Sequence, residues 1–217
     1  MTLKRTTERI IGTRSHVEFI NVFDKESVES KSDTIRMFKK WALEFLTEPH
    51  PDLGRAGPVC PFTGPSVDRQ LFWAGVLDDA NIDFDTMAAI AEDMADIYQE
   101  LPPGEGKDAI FRAIVAIFPN ISNFNVIETV QLQRKSKFVK NGLMLGQFYP
   151  GCLQPGLWND DFRPLDSPLP MLAVRQMVST DYPFLATRSE WMSAYLKKFA
   201  PTMPSPARAY IVAKITS

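Results

Sequence analysis

The stretch QLFWAGVLDDANIDFDTMAAIAEDMADIYQELPPGEG (residues 70–106) combines a strand pattern with a helix pattern, and the fold is predicted outward from it. Residues 70–77 form a short apolar and aromatic run, which is typical of a buried strand. After the turn DDANID, apolar residues recur at helical spacing from Phe84 to Leu101, and the segment PPGEG ends the helix. This stretch therefore predicts a strand, a helix and a stop.

The same patterns recur on both sides of this stretch. Upstream, apolar residues from Ile35 to Leu46 form one face of an amphipathic helix that starts after Asp33 as N-cap and ends before Pro49. Downstream, residues 108–119 fit a strand or a buried helix, and their length and closing proline favour the strand. The remaining predicted elements are strands at 143–150 and 171–178, a short strand within HVEFINVF (16–23), a helix capped by Ser122 that stops at Asn141 and Gly142, a helix opened by the capping-box pattern TRSE (187–190), and a last strand or short helix at 207–215.

These elements predict an α/β or α+β fold, a single domain with a mixed sheet of four to six strands and helices packed on it. We assign residues 1–32 to a variable N-terminal segment and residues 33–217 to the domain. A chain of 217 residues is long enough to bury a core of its own.

Composition excludes several classes of partner. The net charge of −2 and the scattered lysines and arginines provide no basic surface for nucleic acid. No apolar run approaches a membrane span, and the N-terminus lacks a signal-peptide core, so we expect a cytoplasmic protein with no membrane partner. Two cysteines exclude a disulfide scaffold, and both are expected to be thiols. The expected partner is a small-molecule substrate, and the sequence leaves a homodimer open.

Two long proline-rich loops are the candidates for function. EPHPDLGRAGPVCPFTGP (48–65) and PGCLQPGLWNDDFRPLDSPLP (150–170) each contain five prolines and one cysteine. Loops of this length are uncommon inside a domain and are usually functional. Because each follows the end of a strand or helix and carries glycine and arginine, we expect the two loops to meet in space.

His50 and Cys60 are the candidate reactive groups of the first loop. Prolines on both sides of His50 restrict its backbone, so its imidazole is a candidate general base or metal ligand; the alternative is a histidine that hydrogen-bonds its own loop. Cys60 is a candidate nucleophile or soft iron ligand, and the alternative is a small buried apolar residue. A hydrolytic pair of the two has no nucleophile elbow to support it.

Three arginines are candidate binding residues. Arg55 lies in the glycine-flanked turn LGRAG, Arg163 in DFRPL, and Arg175 in the apolar strand LAVRQMV. A guanidinium can bind a carboxylate through two hydrogen bonds, and one on an apolar strand needs a partner if it is buried. For Arg175 that partner is a substrate or cofactor carboxylate, or one of Asp160, Asp161 and Asp166. The same aspartates also suggest a magnesium or calcium site. Their spacing matches no EF-hand, however, and aspartates that are exposed to solvent in a loop are commoner than such a site.

The blocks PHPDLGRAGPVCPFTG, GLMLGQFYPG and SPLPMLAVRQMV resemble an uncharacterised bacterial family that occurs in natural-product gene clusters. This resemblance rests on an HPxLGRxGxVCPF pattern and covers residues 33–200. More remotely, the turn around Cys60 and the block FVKNGLMLGQFYP are similar to the family that includes the heme-dependent arginine N-hydroxylase of cycloserine biosynthesis. That resemblance implies a small α/β heme protein that oxidises the nitrogen of an amino acid or guanidine.

The leading hypothesis is an oxidative biosynthetic enzyme, an oxidoreductase dependent on heme iron, that acts on an amino-acid-like metabolite. His50 would be the axial ligand, with Cys60 as the alternate, and Arg55, Arg163 and Arg175 would pair with the propionates or the substrate. His50, Cys60 and Arg55 are the candidate catalytic residues. The competing hypothesis is a non-enzymatic ligand-binding or accessory protein of a biosynthetic pathway.

Overall fold

The computed structural model describes residues 9–24 and 32–216, which form an α+β fold around one open mixed sheet of six strands. The predicted fold class and strand number are confirmed. The strands are β1 (Ile10–Ile11), β2 (Glu18–Asn21), β3 (Phe72–Val76), β4 (Ala113–Ile117), β5 (Leu143–Phe148) and β6 (Met171–Gln176).

The sheet has the strand order β1-β2-β3-β4-β6-β5. Strands β3 and β4 are parallel, with Ala74 beside Val115, and every other neighbouring pair is antiparallel. Each predicted strand region contains one of these strands, except residues 207–215, for which a short helix was the alternative. The first two strands pair with the rest of the sheet, so the N-terminal segment assigned to residues 1–32 contributes to it, and the boundary at residue 33 does not separate it from the domain.

Helices lie on both faces of the sheet. In chain order they are α1 (Ser32–Trp41), α2 (Thr63–Asp68), α3 (Phe84–Glu100), α4 (Asn125–Lys140), α5 (Tyr182–Leu185), α6 (Ser189–Phe199) and α7 (Ser205–Thr216). A π-helical turn, Ala42–Leu46, extends α1 up to the predicted stop at Pro49. Residues 207–215, predicted as a strand or a short helix, belong to helix α7. None of the described helices is long and apolar enough to cross a membrane.

Asp33, the predicted N-cap of α1, lies inside that helix, in its first turn. Two further predicted helix caps are wrong. Helix α4 begins at Asn125, with Phe124 as N-cap, and it is Asn123 rather than Ser122 whose side chain accepts a hydrogen bond from the Asn125 N–H (3.2 Å). Helix α6 has Arg188 as N-cap and no side-chain cap, so TRSE does not form a capping box. In both cases the chain enters the helix after the predicted capping residue, where that residue's side chain cannot reach the first free N–H groups.

The two faces of the sheet are covered unequally. Helices α3 and α4 cover one face with a continuous core that includes Met87, Ile90 and Met94. On the other face, α1 packs Ile35 and Phe38 into a second core with residues of β3 and β4 and with Met171 of β6. The part of this second face formed by β4, β6 and β5 is left for the loops to cover, and the candidate site lies there.

Two local features fix the ends of the sheet. The turn at residues 12–16, between β1 and β2, surrounds Asp93 of α3, whose carboxylate accepts hydrogen bonds from the backbone N–H groups of Arg14 and Ser15 and from the Ser15 hydroxyl. At the opposite end, strand β5 is the outermost strand, and Gln131 of α4 donates a hydrogen bond from Nε2 to the Leu145 carbonyl (3.0 Å).

Candidate functional site

A cavity of about 270 Å³ lies between the uncovered part of the sheet and the two proline-rich loops. Its floor is formed by β4, β5 and β6, and its walls by α1, α2, the first loop, the turn before β4 and the second loop. Its lining is mainly apolar and includes Trp41, Val59, Phe62, Phe111, Phe148, Leu165 and Met171.

Small residues on the floor create the cavity. Ala113, Gly146 and Ala173 all line it, and Ala173 lies between Val115 of β4 and Gly146 of β5 in the sheet register. Because side chains alternate across a strand, these positions present little more than backbone to the face that the loops cover. The sequence patterns predicted the strands but did not single out this group of small side chains.

Arg175 is a charged residue of the cavity lining, and its side chain has a fixed orientation. Its Nη1 and Nη2 atoms donate to the two carboxylate oxygens of Asp181 (2.8 and 2.7 Å), and Nη1 also donates to the Gln176 carbonyl. Burial lowers the pKa of Arg175, but the hydrogen bonds and charge of Asp181 outweigh burial and raise it above its ordinary value. The guanidinium lies over the Phe62 ring, with its central carbon 5.4 Å from the centroid.

Asp181 is a residue that sequence reasoning missed. The partners considered for Arg175 were Asp160, Asp161 and Asp166, and none of these pairs with it. The 3₁₀ turn Ser179–Asp181 follows β6 and folds Asp181 back beneath the strand, where it is 1% exposed and also accepts the Val178 N–H. The sequence contains an aspartate six residues after the arginine, but this spacing indicates an ion pair only once the turn that brings the two side chains together is known.

Helix α2 and the residues before it add polar groups to the same wall. Cys60, Thr63 and Ser66 line the cavity, and Ser66 is 1% exposed. Among the described residues, the Ser66 hydroxyl has no hydrogen-bond partner. A buried hydroxyl without a partner is unfavourable by about 1–3 kcal/mol, so a group that supplies this bond is favoured there. The spacing of Thr63 and Ser66 on one helix turn was a signal that the sequence analysis did not use.

His50 and Arg55 do not line the cavity. The Nδ1 atom of His50 accepts the Asp52 N–H (3.2 Å), and its ring lies 4.8 Å from that of Phe162. Arg55 donates to the Ala56 and Val59 carbonyls (2.9 and 3.1 Å). In this arrangement both side chains stabilise the loop that carries them.

Arg163 and the loop aspartates also lie outside the cavity lining. Arg163 donates to the carbonyls of Asp160 and Phe162, which are in its own loop. In the described part of the chain, no group of three or more His, Cys, Asp or Glu side chains is arranged to hold a metal ion. Of the sequence-predicted site residues, Cys60 and Arg175 are therefore brought together at the cavity, whereas His50, Arg55 and Arg163 are not.

The predicted meeting of the two loops is confirmed. Asn159 donates from Nδ2 to the Asp52 carbonyl (2.9 Å), and Gly54 lies directly against Trp158. Val59 and Cys60 of the first loop and Pro164 of the second line the same cavity.

The second cysteine lies on the other side of the sheet. Cys152 is 1% exposed and belongs to the core beside α4. Its neighbour Tyr149 donates a hydrogen bond to Glu128. Burial, this bond and the nearby Cys152 raise the pKa of Tyr149 far above its ordinary value, so Tyr149 keeps its proton. A shallow groove runs along this edge, lined by Glu128, Gln147 and Tyr149.

Comparison with known proteins gives a family and no further relatives. Residues 35–210 match the model of a family described as a domain of unknown function (DUF6875). No curated protein and no solved structure matches the chain.

Proposed function

Since the chain belongs to the DUF6875 family, whose description assigns no activity, we propose from the geometry of the cavity that the protein binds a small, mainly apolar molecule between its sheet and its two loops. The observation that carries the proposal is the placement of Arg175 and Ser66 on an otherwise apolar lining. A few polar groups that converge on an apolar cavity are the usual composition of a small-molecule site.

The size of the cavity favours a ligand-binding site over a packing defect as the explanation of the empty space. Protein interiors contain few voids larger than a water molecule, because empty space forfeits contacts between packed atoms. A space of about 270 Å³ is many times larger than one water and lies just below the range of about 300–1,000 Å³ for small-molecule sites. A single-ring metabolite fits such a space.

A cavity-filling substitution tests this proposal. Ala173→Leu adds three carbon atoms at the centre of the floor, so we expect it to block binding and to keep or raise the melting temperature. Saturation-transfer NMR with benzoate, benzyl alcohol, benzylamine and phenylalanine provides the measurement. The control is Ala186→Leu, which adds the same atoms at an exposed position. Binding that survives in Ala173→Leu, or no binding to the unaltered protein, would contradict the proposal.

A second candidate function is the oxidation of an amino-acid-like metabolite with heme as cofactor, as the remote resemblance implies. The observation that favours it is that Cys60, the alternate axial ligand, lines the cavity together with Arg175. Bound heme iron would supply the oxidising centre. His50, the first-choice ligand, does not fit this role because it lies outside the cavity lining, and a heme needs more room than about 270 Å³, so the loop wall would have to move.

Absorption spectroscopy decides between the two candidates. Hemin titrated into the protein is expected to give a Soret band if the oxidative function holds, and Cys60→Ser is expected to shift or remove that band while His50→Ala leaves it unchanged. A protein that retains no heme after hemin titration and removal of free hemin, and still binds single-ring compounds, would favour a binding or accessory role instead.

A further inference from the structure

Three hydrogen bonds fix the Arg175 guanidinium and leave one of its edges free. An arginine side chain has five N–H donors, and Asp181 and the Gln176 carbonyl take three of them. Asp181 occupies the Nη1–Nη2 end of the planar group. Among the described residues, the Nε–H and the second Nη2–H have no hydrogen-bond partner, and these two donors point along the same side of the guanidinium.

This free edge has the geometry that binds a carboxylate. Two parallel N–H groups of an arginine match the two oxygens of a carboxylate, and such bidentate pairs are stronger than single neutral hydrogen bonds. The Arg175 side chain remains 29% exposed although the side chain of its partner Asp181 is almost fully buried. Asp181 thus holds the guanidinium in one orientation before any ligand arrives.

The charges around the cavity also favour an anion. Arg112 lines the cavity as well, is 5% exposed, and donates to the carbonyls of Tyr98, Leu101 and Ala109 rather than to a carboxylate. The Tyr98 and Leu101 carbonyls lie at the C-terminal end of α3, whose helix dipole offsets part of the positive charge of Arg112. Within the described residues, no aspartate or glutamate side chain lines the cavity. Of the two guanidinium groups, only that of Arg175 is paired with a carboxylate of the described residues, that of Asp181.

We propose that the ligand of this cavity is an apolar monocarboxylic acid without a free ammonium group, and that its carboxylate accepts two hydrogen bonds from the Nε–Nη2 edge of Arg175. This proposal rests on the proposed function and narrows it. An ammonium group in the same cavity would lie near two guanidinium groups with no acidic side chain beside it, and a buried charge without a partner is strongly unfavourable. The ligand class is accordingly an organic acid, or an amino acid whose nitrogen is acylated.

Three compounds of nearly equal size test the ligand class. We expect 3-phenylpropionate to bind at least about tenfold more tightly than 3-phenylpropanamide, which lacks the charge, and than phenylalanine, which adds an ammonium group. Titrations followed by NMR give the dissociation constants. Equal binding of the amide overturns the role of the carboxylate, and phenylalanine that binds as tightly as 3-phenylpropionate overturns the exclusion of an ammonium group.

A substitution at Arg175 tests the residue. Arg175→Lys keeps the charge and removes the paired donors, so we expect at least about tenfold weaker binding of 3-phenylpropionate and little change for the amide. Arg163→Lys is the matched control, because Arg163 donates only to carbonyls of its own loop. Circular dichroism and the melting temperature verify that both variants fold. Unchanged affinity in a folded Arg175→Lys overturns the proposal.

A measurement on the unaltered protein covers the case in which Arg175→Lys does not fold. In ¹H–¹⁵N spectra, the Arg175 Nε–H resonance is expected to move downfield on addition of 3-phenylpropionate and to stay in place with the amide. A resonance that does not move with the acid overturns the proposal even if the acid binds.

The outcome with Ala173→Leu separates this proposal from the proposed function. If the acid and the amide bind equally and Ala173→Leu abolishes both, the cavity is the binding site and only the carboxylate assignment is wrong. If the acid binds and Ala173→Leu leaves its affinity unchanged, the site lies elsewhere and both proposals are wrong. Absence of binding by 3-phenylpropionate and by hexanoate overturns the carboxylate proposal directly.

Discussion

Ser66 and Ser136 are two partly or fully buried serines with opposite hydrogen-bonding states. The Ser66 hydroxyl has no partner in the described structure, whereas that of Ser136 donates to Glu190 and accepts from the Trp191 indole N–H. Ser66→Ala is expected to leave the free energy of unfolding unchanged or to raise it by up to about 1 kcal/mol, because it removes an unsatisfied polar group. Urea denaturation gives this value. Ser136→Ala, the control, is expected to lower it by about 1 kcal/mol.

Ser66→Ala also tests whether the Ser66 hydroxyl contributes to ligand binding. If the hydroxyl bonds to the ligand, affinity for 3-phenylpropionate falls although stability does not. A loss of stability in Ser66→Ala similar to that in Ser136→Ala would mean that the hydroxyl already has a partner in solution, such as a water molecule.

His50 is expected to act on stability rather than on binding. His50→Ala removes the acceptor of the Asp52 N–H and the contact with Phe162, so we expect the free energy of unfolding to fall by about 1 kcal/mol with ligand affinity unchanged. Thermal denaturation and NMR titration measure the two effects, and Arg55→Ala is expected to behave in the same way. A folded His50→Ala protein that no longer binds ligand would restore His50 as a site residue.

The candidate site was predictable only in part from the sequence. Arg175 stood out because a guanidinium on an apolar strand needs a partner, and Cys60 because it lies in a stiff loop. Asp181 and Ser66 gave no comparable signal, since their roles depend on how a short turn and a short helix place them against the sheet. His50 attracted attention through its two flanking prolines, which turned out to organise a loop around it.

At the scale of elements, the turn between β1 and β2 is attached to α3 through Asp93. Burial raises the pKa of Asp93, but hydrogen bonds from Ser15 and Arg14 outweigh burial and hold the pKa below its ordinary value of 3.8. A carboxylate with a lowered folded-state pKa stabilises the fold above its unfolded pKa, and this contribution is lost as the pH falls through the lower folded-state value.

Asp93→Asn is expected to lower the free energy of unfolding at pH 7 by about 2–3 kcal/mol, because it removes charge-assisted hydrogen bonds to a buried group. It should also make stability less dependent on pH below about 4. Urea denaturation at pH 7 and pH 3 measures both effects, with Asp161→Asn on an exposed loop as the control. An Asp93→Asn protein as stable as the control at pH 7 would show that the turn needs no carboxylate.

The elements themselves were largely predictable, and their ends less so. Buried strands and the amphipathic helices α1 and α3 have strong patterns because one face packs against a core. The caps of α4 and α6 were wrong because several adjacent polar residues can serve, and tertiary packing decides where the helix starts. The short strand β1 has no pattern of its own and exists because β2 pairs with it.

At the scale of the whole molecule, the two loops that form walls of the cavity are in contact with each other. Gly54 has φ +75°, and a Cβ there would lie 2.8 Å from the Trp158 carbonyl oxygen. Gly54→Ala is therefore expected to lower the free energy of unfolding by about 2–4 kcal/mol, from backbone strain and loop separation together. Gly151 has a similar φ of +74°, but a Cβ there would have no atom of the described residues within 4 Å. Gly151→Ala should therefore lower the free energy of unfolding through backbone strain alone.

The difference in stability between the two glycine variants measures the contribution of the contact between the loops. Thermal denaturation measures it, and limited proteolysis is expected to cut residues 150–170 faster in Gly54→Ala than in Gly151→Ala. Equal melting temperatures and equal proteolysis would mean that Trp158 moves aside without loss, and that the second loop does not depend on the first.

The hydrogen bond from Gln131 to β5 bears on the pairing of strands between copies of the chain. An outermost strand offers unpaired backbone groups to which another chain can add a strand, which is a route to aggregation. Helix α4 places a side-chain amide on the Leu145 carbonyl at this margin and so occupies an acceptor that an incoming strand would use. The helix that covers one face of the sheet thereby also blocks one of the backbone positions at which a strand of another chain would pair with β5.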